Sequence, residues 1–170
     1  MTVIADTSVI LNLCCIQQQE LLQTLFREVI VPPEVSQEFI RAARVYPRFV
    51  GLTIPSWIRQ QQPRAIPESL RITPHLDLGE IAAIALALEI AADAILIDET
   101  SGRRAARQLG LTALGIVGIL VRARIAGVLP AITPVFLQLE QKANFWLAPE
   151  VRADALRIVG ELRDGGPAAP

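Results

Sequence analysis

The chain has 170 residues, 52% hydrophobic and 19% charged, which fits one domain with a substantial core and excludes intrinsic disorder. Sixteen basic and seventeen acidic residues leave a formal net charge of -1, so any polyanion must be met by local charge or by metal ions. Cys14 and Cys15 are adjacent, fit neither a disulfide framework nor a zinc spacing, and read as buried reduced thiols.

Thr2–Val3–Ile4–Ala5 opens a short β-branched run that ends in Asp6–Thr7–Ser8 and reads as a buried strand. Val9, Ile10, Leu11 and Leu13 then begin a helical pattern, with Thr7 or Ser8 placed to cap it. Leu21, Leu22, Leu25 and Phe26 mark a second helix over Gln19–Phe26, and Val29–Ile30–Val31 a second strand. Pro32–Pro33 suits the start of a helix running from Glu34 to Arg41. Tyr46 to Pro74 is the least regular part, with short pieces of structure expected at Leu52–Ile54 and Trp57–Ile58; residues 46–76 read as an insertion or lid. Order returns at Asp77–Leu78–Gly79–Glu80 with an Ala- and Leu-rich helix over Ile81–Ala92, followed by an apolar strand, Ala94–Ile97, that ends in Asp98–Glu99. A helix opens at Ser101 and is closed by Gly110. A strand at Leu111–Leu114 and helices at Val117–Arg124, Pro134–Lys142 and Pro149–Leu162 complete the pattern. Strands alternating with helices predict a three-layer α/β/α sandwich around a central parallel sheet, one domain over residues 1–163 with a flexible tail at 164–170. Asp6 interrupts the first apolar run, so no leader pattern is expected, and Glu89 and Asp93 break the longest apolar stretch, Ile81–Ile97. A soluble, cytoplasmic protein without a membrane partner is the expectation.

The chemistry concentrates in acids. Asp6 and Asp98 each follow a strand, and parallel strands deliver such residues to one edge of the sheet, where α/β folds build their sites. Glu38 lies on the helix after the second strand, and Glu80 opens the helix that leads to the Asp98 strand. Such a cluster repels itself unless cations sit in it, and hard oxygen donors suit Mg²⁺ or Mn²⁺. Carboxylate-bound ions of this kind equip a site for phosphodiester hydrolysis. Each residue also has a purely structural reading. Asp6 could cap the following helix, Glu38 could be an ordinary exposed helix residue, and Asp77 with Glu80 fits a capping box. Glu99 either points outward or is an accessory ligand, while Ser101 is placed to cap the next helix; Ser8, Asp77, Glu99 and Ser101 are the accessory candidates. Arg103, Arg104 and Arg107 form either a phosphate grip beside Asp98 or a solvated helix face. His75, the single histidine, reads as a loop residue, and without a serine nucleophile elbow a Ser–His–Asp hydrolase has little support.

The segments Val3–Ile10, Val31–Glu38, Leu78–Ile81, Leu96–Glu99, Gly102–Ala106, Leu109–Leu111 and Gly115–Leu120 resemble PIN-domain proteins. They resemble a PIN subgroup of bacterial and archaeal proteins catalogued under a domain of unknown function, over about Thr2 to Leu139. The resemblance places Asp6, Glu38, Glu80 and Asp98 on the family's catalytic, metal-binding acidic positions. It implies Mg²⁺- or Mn²⁺-dependent cleavage of single-stranded RNA, as in the toxin of a toxin–antitoxin pair. A small antitoxin partner and a homodimer or higher oligomer follow from the same resemblance, with the apolar C-terminal half as a candidate surface. A non-catalytic module that binds a protein or RNA is the alternative, and a metal-dependent phosphatase or nuclease with another substrate is a third reading.

Overall fold

The computed structural model describes residues 1–162. Among them, five strands form one all-parallel sheet in the order β3-β2-β1-β4-β5, and nine α-helices accompany it in a three-layer α/β/α sandwich. The strands are β1 (Thr2–Ala5), β2 (Glu28–Val31), β3 (Arg59–Gln60), β4 (Ala94–Leu96) and β5 (Ala113–Leu114). Val3, Ile4, Val29, Ile30, Ile95 and Leu96 are all buried, which is why these strands read as unbroken apolar runs rather than alternating ones. β1 is central, with Val3 beside Val29 on one flank and Ala5 beside Leu96 on the other. The chain builds outward from β1 to β2 and β3, then crosses to β4 and β5 on the other side. The order therefore reverses between β1 and β4, the crevice where open α/β sheets place their ligands.

The helices are α1 (Thr7–Cys15), α2 (Glu20–Leu25), α3 (Pro33–Val45), α4 (Glu68–Arg71), α5 (Leu78–Glu89), α6 (Thr100–Gln108), α7 (Ile116–Ile125), α8 (Thr133–Ala143) and α9 (Pro149–Ile158). Several ends differ from the sequence expectation for identifiable reasons. α1 starts at Thr7 because Asp6 itself is the N-cap, the structural role weighed for it, and not Thr7 or Ser8. α6 starts at Thr100 with Glu99 as its N-cap residue and no side-chain cap, so Ser101 does not cap it. β5 is confined to Ala113–Leu114 because Gly110, at φ 82°, and the Leu111 N–H to Ala106 carbonyl bond at 3.0 Å use the preceding residues to close α6. α9 stops at Ile158, since Gly160 takes φ 75° and the Glu161 N–H turns back to Leu156.

In the proline-rich segment, Leu52–Ile54 and Trp57–Ile58 are irregular; its regular pieces are a 3-10 turn at Pro47–Phe49, edge strand β3 and α4. Phe49, Ile58 and Leu70 tie the segment into the core, and Arg59 pairs with Glu28 at 3.2 Å across the β2–β3 edge. Expectations for 164–170 fall outside the described residues. Among the described residues no helix is long and apolar enough to cross a membrane. Cys14 is buried, and its thiol is pushed up to about 12 by burial. Cys15 is only partly buried, so the pair is not uniformly interior.

Candidate functional site

Of the acids expected to act together, Asp6, Glu80 and Asp98 meet the starts of helices, while Glu38 lies within α3. Asp6 follows β1, donates its own N–H to Leu96 of β4 at 2.8 Å, and is 3% exposed. Its Oδ2 accepts from the Ser8 hydroxyl at 2.9 Å and the Ser8 N–H at 3.4 Å, while Oδ1 is buried with no partner. Burial pushes its pKa up to about 6 against those Ser8 bonds, with the Asp77 charge adding to the rise. Asp98 follows β4 and reaches the start of α7, where Oδ1 accepts from the Ile116 N–H at 3.0 Å; Oδ2 is buried and unpartnered. Burial raises this group too, to about 6, against the Ile116 bond and the Arg103 guanidinium.

Glu80 is 2% exposed and closes the expected capping box of α5: the Asp77 carboxylate accepts from the Glu80 N–H at 2.7 Å, and Glu80 Oε2 accepts from the Asp77 N–H at 3.0 Å. The box is tight, yet it uses only one oxygen of Glu80; Oε1 is buried without a partner. Burial pushes Glu80 up to about 7, with the Asp77 and Asp6 charges acting in the same direction. Glu38, half-buried on α3, spans to two helices. Its Oε2 accepts from the Thr7 hydroxyl at 2.9 Å and its Oε1 from the Gly79 N–H at 3.0 Å, so both oxygens are engaged. Burial raises its pKa as well, opposed by the Thr7 bond.

The N-termini of α1, α5 and α7 thus converge on the acids. Their N–H groups and aligned peptide dipoles favour negative charge there. That compensation is incomplete, because among the described residues none of the four acids makes an ion pair with Lys or Arg. Among the described residues no three Asp, Glu, His or Cys side chains converge closely enough to hold a metal ion as they stand. Each carboxylate has instead turned one oxygen to a nearby N–H, and Glu38 its second to the Thr7 hydroxyl, which is what mutual repulsion favours in a cluster of anions. The donor set still fits a hard divalent cation, since Asp6, Glu80 and Asp98 each present an oxygen that is desolvated and unsatisfied.

Glycines seat three of the acids. A Cβ at Gly79 would collide with the Glu38 carboxylate, one at Gly102 with Glu80 Oε1 and Ile97, and one at Gly115 with Asp98 Oδ1. Thr7, read only as a possible helix cap, and these glycines were not among the candidate site residues. Their signal was present, because Gly79 and Gly102 lie inside helices, where glycine costs about 1 kcal/mol against alanine and so marks a close approach.

The accessory candidates separate. Ser8 and Asp77 orient Asp6 and Glu80, whereas Glu99 is exposed. Arg103 shares a cavity of about 360 Å³ with Asp98, Ser8 and Trp146. Arg104 and Ser101 line a different one, with His75, on the other flank of α6. Arg107, one turn beyond Arg103 on α6, lines neither of these two cavities.

A family model described as a PIN domain matches residues 2–161. No curated protein matches the chain. PIN domains are nuclease-type modules and usually use divalent metals.

Proposed function

Because the chain belongs to the PIN-domain family, we propose that it is a metal-dependent endoribonuclease hydrolysing the phosphodiester bonds of single-stranded RNA. The observation that carries this reading is the set of carboxylates Asp6, Glu80 and Asp98, each with one buried, unpartnered oxygen, around the crevice where the strand order reverses. These three would hold Mg²⁺ or Mn²⁺. When bound, the ion supplies polarisation of a phosphoryl oxygen and an activated water.

The chain's own groups set up that chemistry. Ser8 fixes the Asp6 carboxylate, the Ile116 N–H fixes Asp98, and the capping box fixes Glu80. Glu38, held by Thr7 and Gly79, adds negative charge with both oxygens already hydrogen-bonded once. Arg103 stands beside Asp98 to receive a backbone phosphate, as a guanidinium does well. Cleavage of an unstructured RNA in Mn²⁺ should be abolished by Asp6→Asn and by Asp98→Asn with the far-ultraviolet spectrum intact; cleavage by both variants at the parent rate contradicts the assignment.

The non-catalytic reading keeps one specific support, the engagement of both Glu38 oxygens by protein donors, which takes up part of that acid's capacity to hold an ion. A parent that binds RNA but never cuts it in Mg²⁺ or Mn²⁺ would favour it. Within the leading reading, we assign the chain the role of a toxin held by a small antitoxin, and self-association through exposed Leu137 of α8 and Ile158 of α9. Light scattering of the isolated protein tests the second point, and a monomer at all concentrations would rule it out.

A further inference from the structure

Trp146 is the most exposed large apolar side chain among the described residues, at 79%. Leaving an indole in water forgoes a large burial of apolar area, and here the backbone holds it out. Asn144 ends α8 in the left-handed conformation at φ 52°, and the Phe145 N–H returns to the Leu139 carbonyl at 3.0 Å. Phe145 and Leu147, on either side, pack into the core. The tryptophan between them is therefore presented on an anchored segment. It faces the same cavity as Asp98 and Arg103, whose apolar wall is completed by Val117 and Val151 and whose volume of about 360 Å³ lies in the range of small-molecule sites.

We propose that Trp146 is a stacking platform for an unpaired nucleobase of the RNA substrate, next to the nucleotide whose phosphate lies at Asp98. The inference rests on the nuclease reading and extends it by naming the substrate feature recognised, a splayed-out base. The lining favours this occupant: the cavity brings the Trp146 indole together with the Arg103 guanidinium and the candidate catalytic carboxylate of Asp98. An aromatic face, a cation and a carboxylate lining one cavity can meet a base, its neighbouring phosphate and the cleavage chemistry of a single strand, and a base held in a duplex cannot stack there. Stacking on an aromatic ring is tolerant of sequence, so Trp146 would select single-stranded character and not a particular base.

The test separates this inference from the reading beneath it. In a Trp57→Phe background Trp146 is the sole tryptophan reporter, and oligouridylate is added in Ca²⁺ so that binding is read without turnover. Emission should be quenched by oligouridylate and not by an abasic strand of equal length. With the cleaving metal restored, Trp146→Ala should raise KM for unstructured RNA about 5- to 100-fold, more than it lowers kcat, and Trp146→Phe should recover most of the loss. Cleavage by the parent with KM of Trp146→Ala unchanged overturns the stacking role and leaves the nuclease reading standing. Base-dependent quenching without any cleavage supports the platform and overturns the nuclease. Equal quenching by the abasic strand, or none by either, overturns the platform.

Discussion

Without a metal ion, charge at Asp6 should destabilise the fold, and this can be read as a pH dependence. Burial raises the Asp6 pKa from 3.8 to about 6, so the folded state holds this proton more tightly than the unfolded chain. The stability so contributed is fully present below the unfolded value, is lost as pH rises through about 6, and is absent above it. A shift of roughly two units corresponds to about 3 kcal/mol, which for a chain of this size is about 6–12 °C in Tm. In chelator the parent should therefore melt lower at about pH 8 than at about pH 5, against the usual trend for a protein whose carboxylates are paired. Asp6→Asn removes the charge, keeps the shape, and preserves an N-cap for α1, since asparagine caps as well as aspartate. At the higher pH in chelator the variant should melt above the parent by a few degrees to about 10 °C, and the gap should close toward the lower pH. Saturating Mn²⁺ should reverse the order, because only the parent gains binding energy. Scanning calorimetry in chelator and in Mn²⁺ checks both halves. A parent that melts at the same temperature or higher at the upper pH in chelator, with the variant less stable than it, refutes the reasoning.

Gly102→Ala should lower stability by about 1–3 kcal/mol in urea unfolding, the cost of overpacking, where alanine in an ordinary helix position would raise it, because the new Cβ meets Ile97 and the Glu80 carboxylate. Asp77→Asn should keep the α5 cap and bind Mn²⁺ within about twofold of the parent, whereas Glu80→Gln should weaken binding more than tenfold by calorimetry. Glu161 accepts from the N–H groups of Ile132 and Thr133 at 2.7 and 2.9 Å and from the Thr133 hydroxyl at 2.6 Å, so it caps α8 from a distance. Glu161→Ala should cost about 1–2 kcal/mol by urea unfolding. Partial burial acts to raise the Glu161 pKa, but these bonds and Arg124 outweigh it and hold it low, so the difference between parent and variant should be full above the ordinary glutamate range and fade as pH falls below it.

The sheet and its helices were legible in the sequence because they rest on patterns local to each segment: β-branched runs for β1, β2 and β4, and alanine-rich periodicity for α5. The edge strand β3 was not, since Arg59 and Gln60 are polar and pair only because tertiary packing brings them beside Ile30 and Val31. Among the site residues, Asp6 and Asp98 could be located from the ends of their strands. What the acids touch could not, because Glu38 meets Thr7 and Gly79 across 31 and 41 residues of chain, and Asp98 meets Ile116 across 18. Capping and site roles were weighed as alternatives, yet Asp6 and Glu80 each use one oxygen for a helix start and leave the other unpaired. Trp146 gave no pattern at all; only its held-out loop and the neighbouring Asp98 give it meaning.

Titration of Mn²⁺ into the metal-free protein by calorimetry, beside the Asp6→Asn/Asp98→Asn double variant, tests the central claim most directly. The account predicts saturable binding by the parent that is lost in the double variant while its fold persists. Equal binding by both, or no binding by the parent even with a non-cleavable RNA analogue present to complete the coordination, would contradict the assignment of these carboxylates to a metal ion.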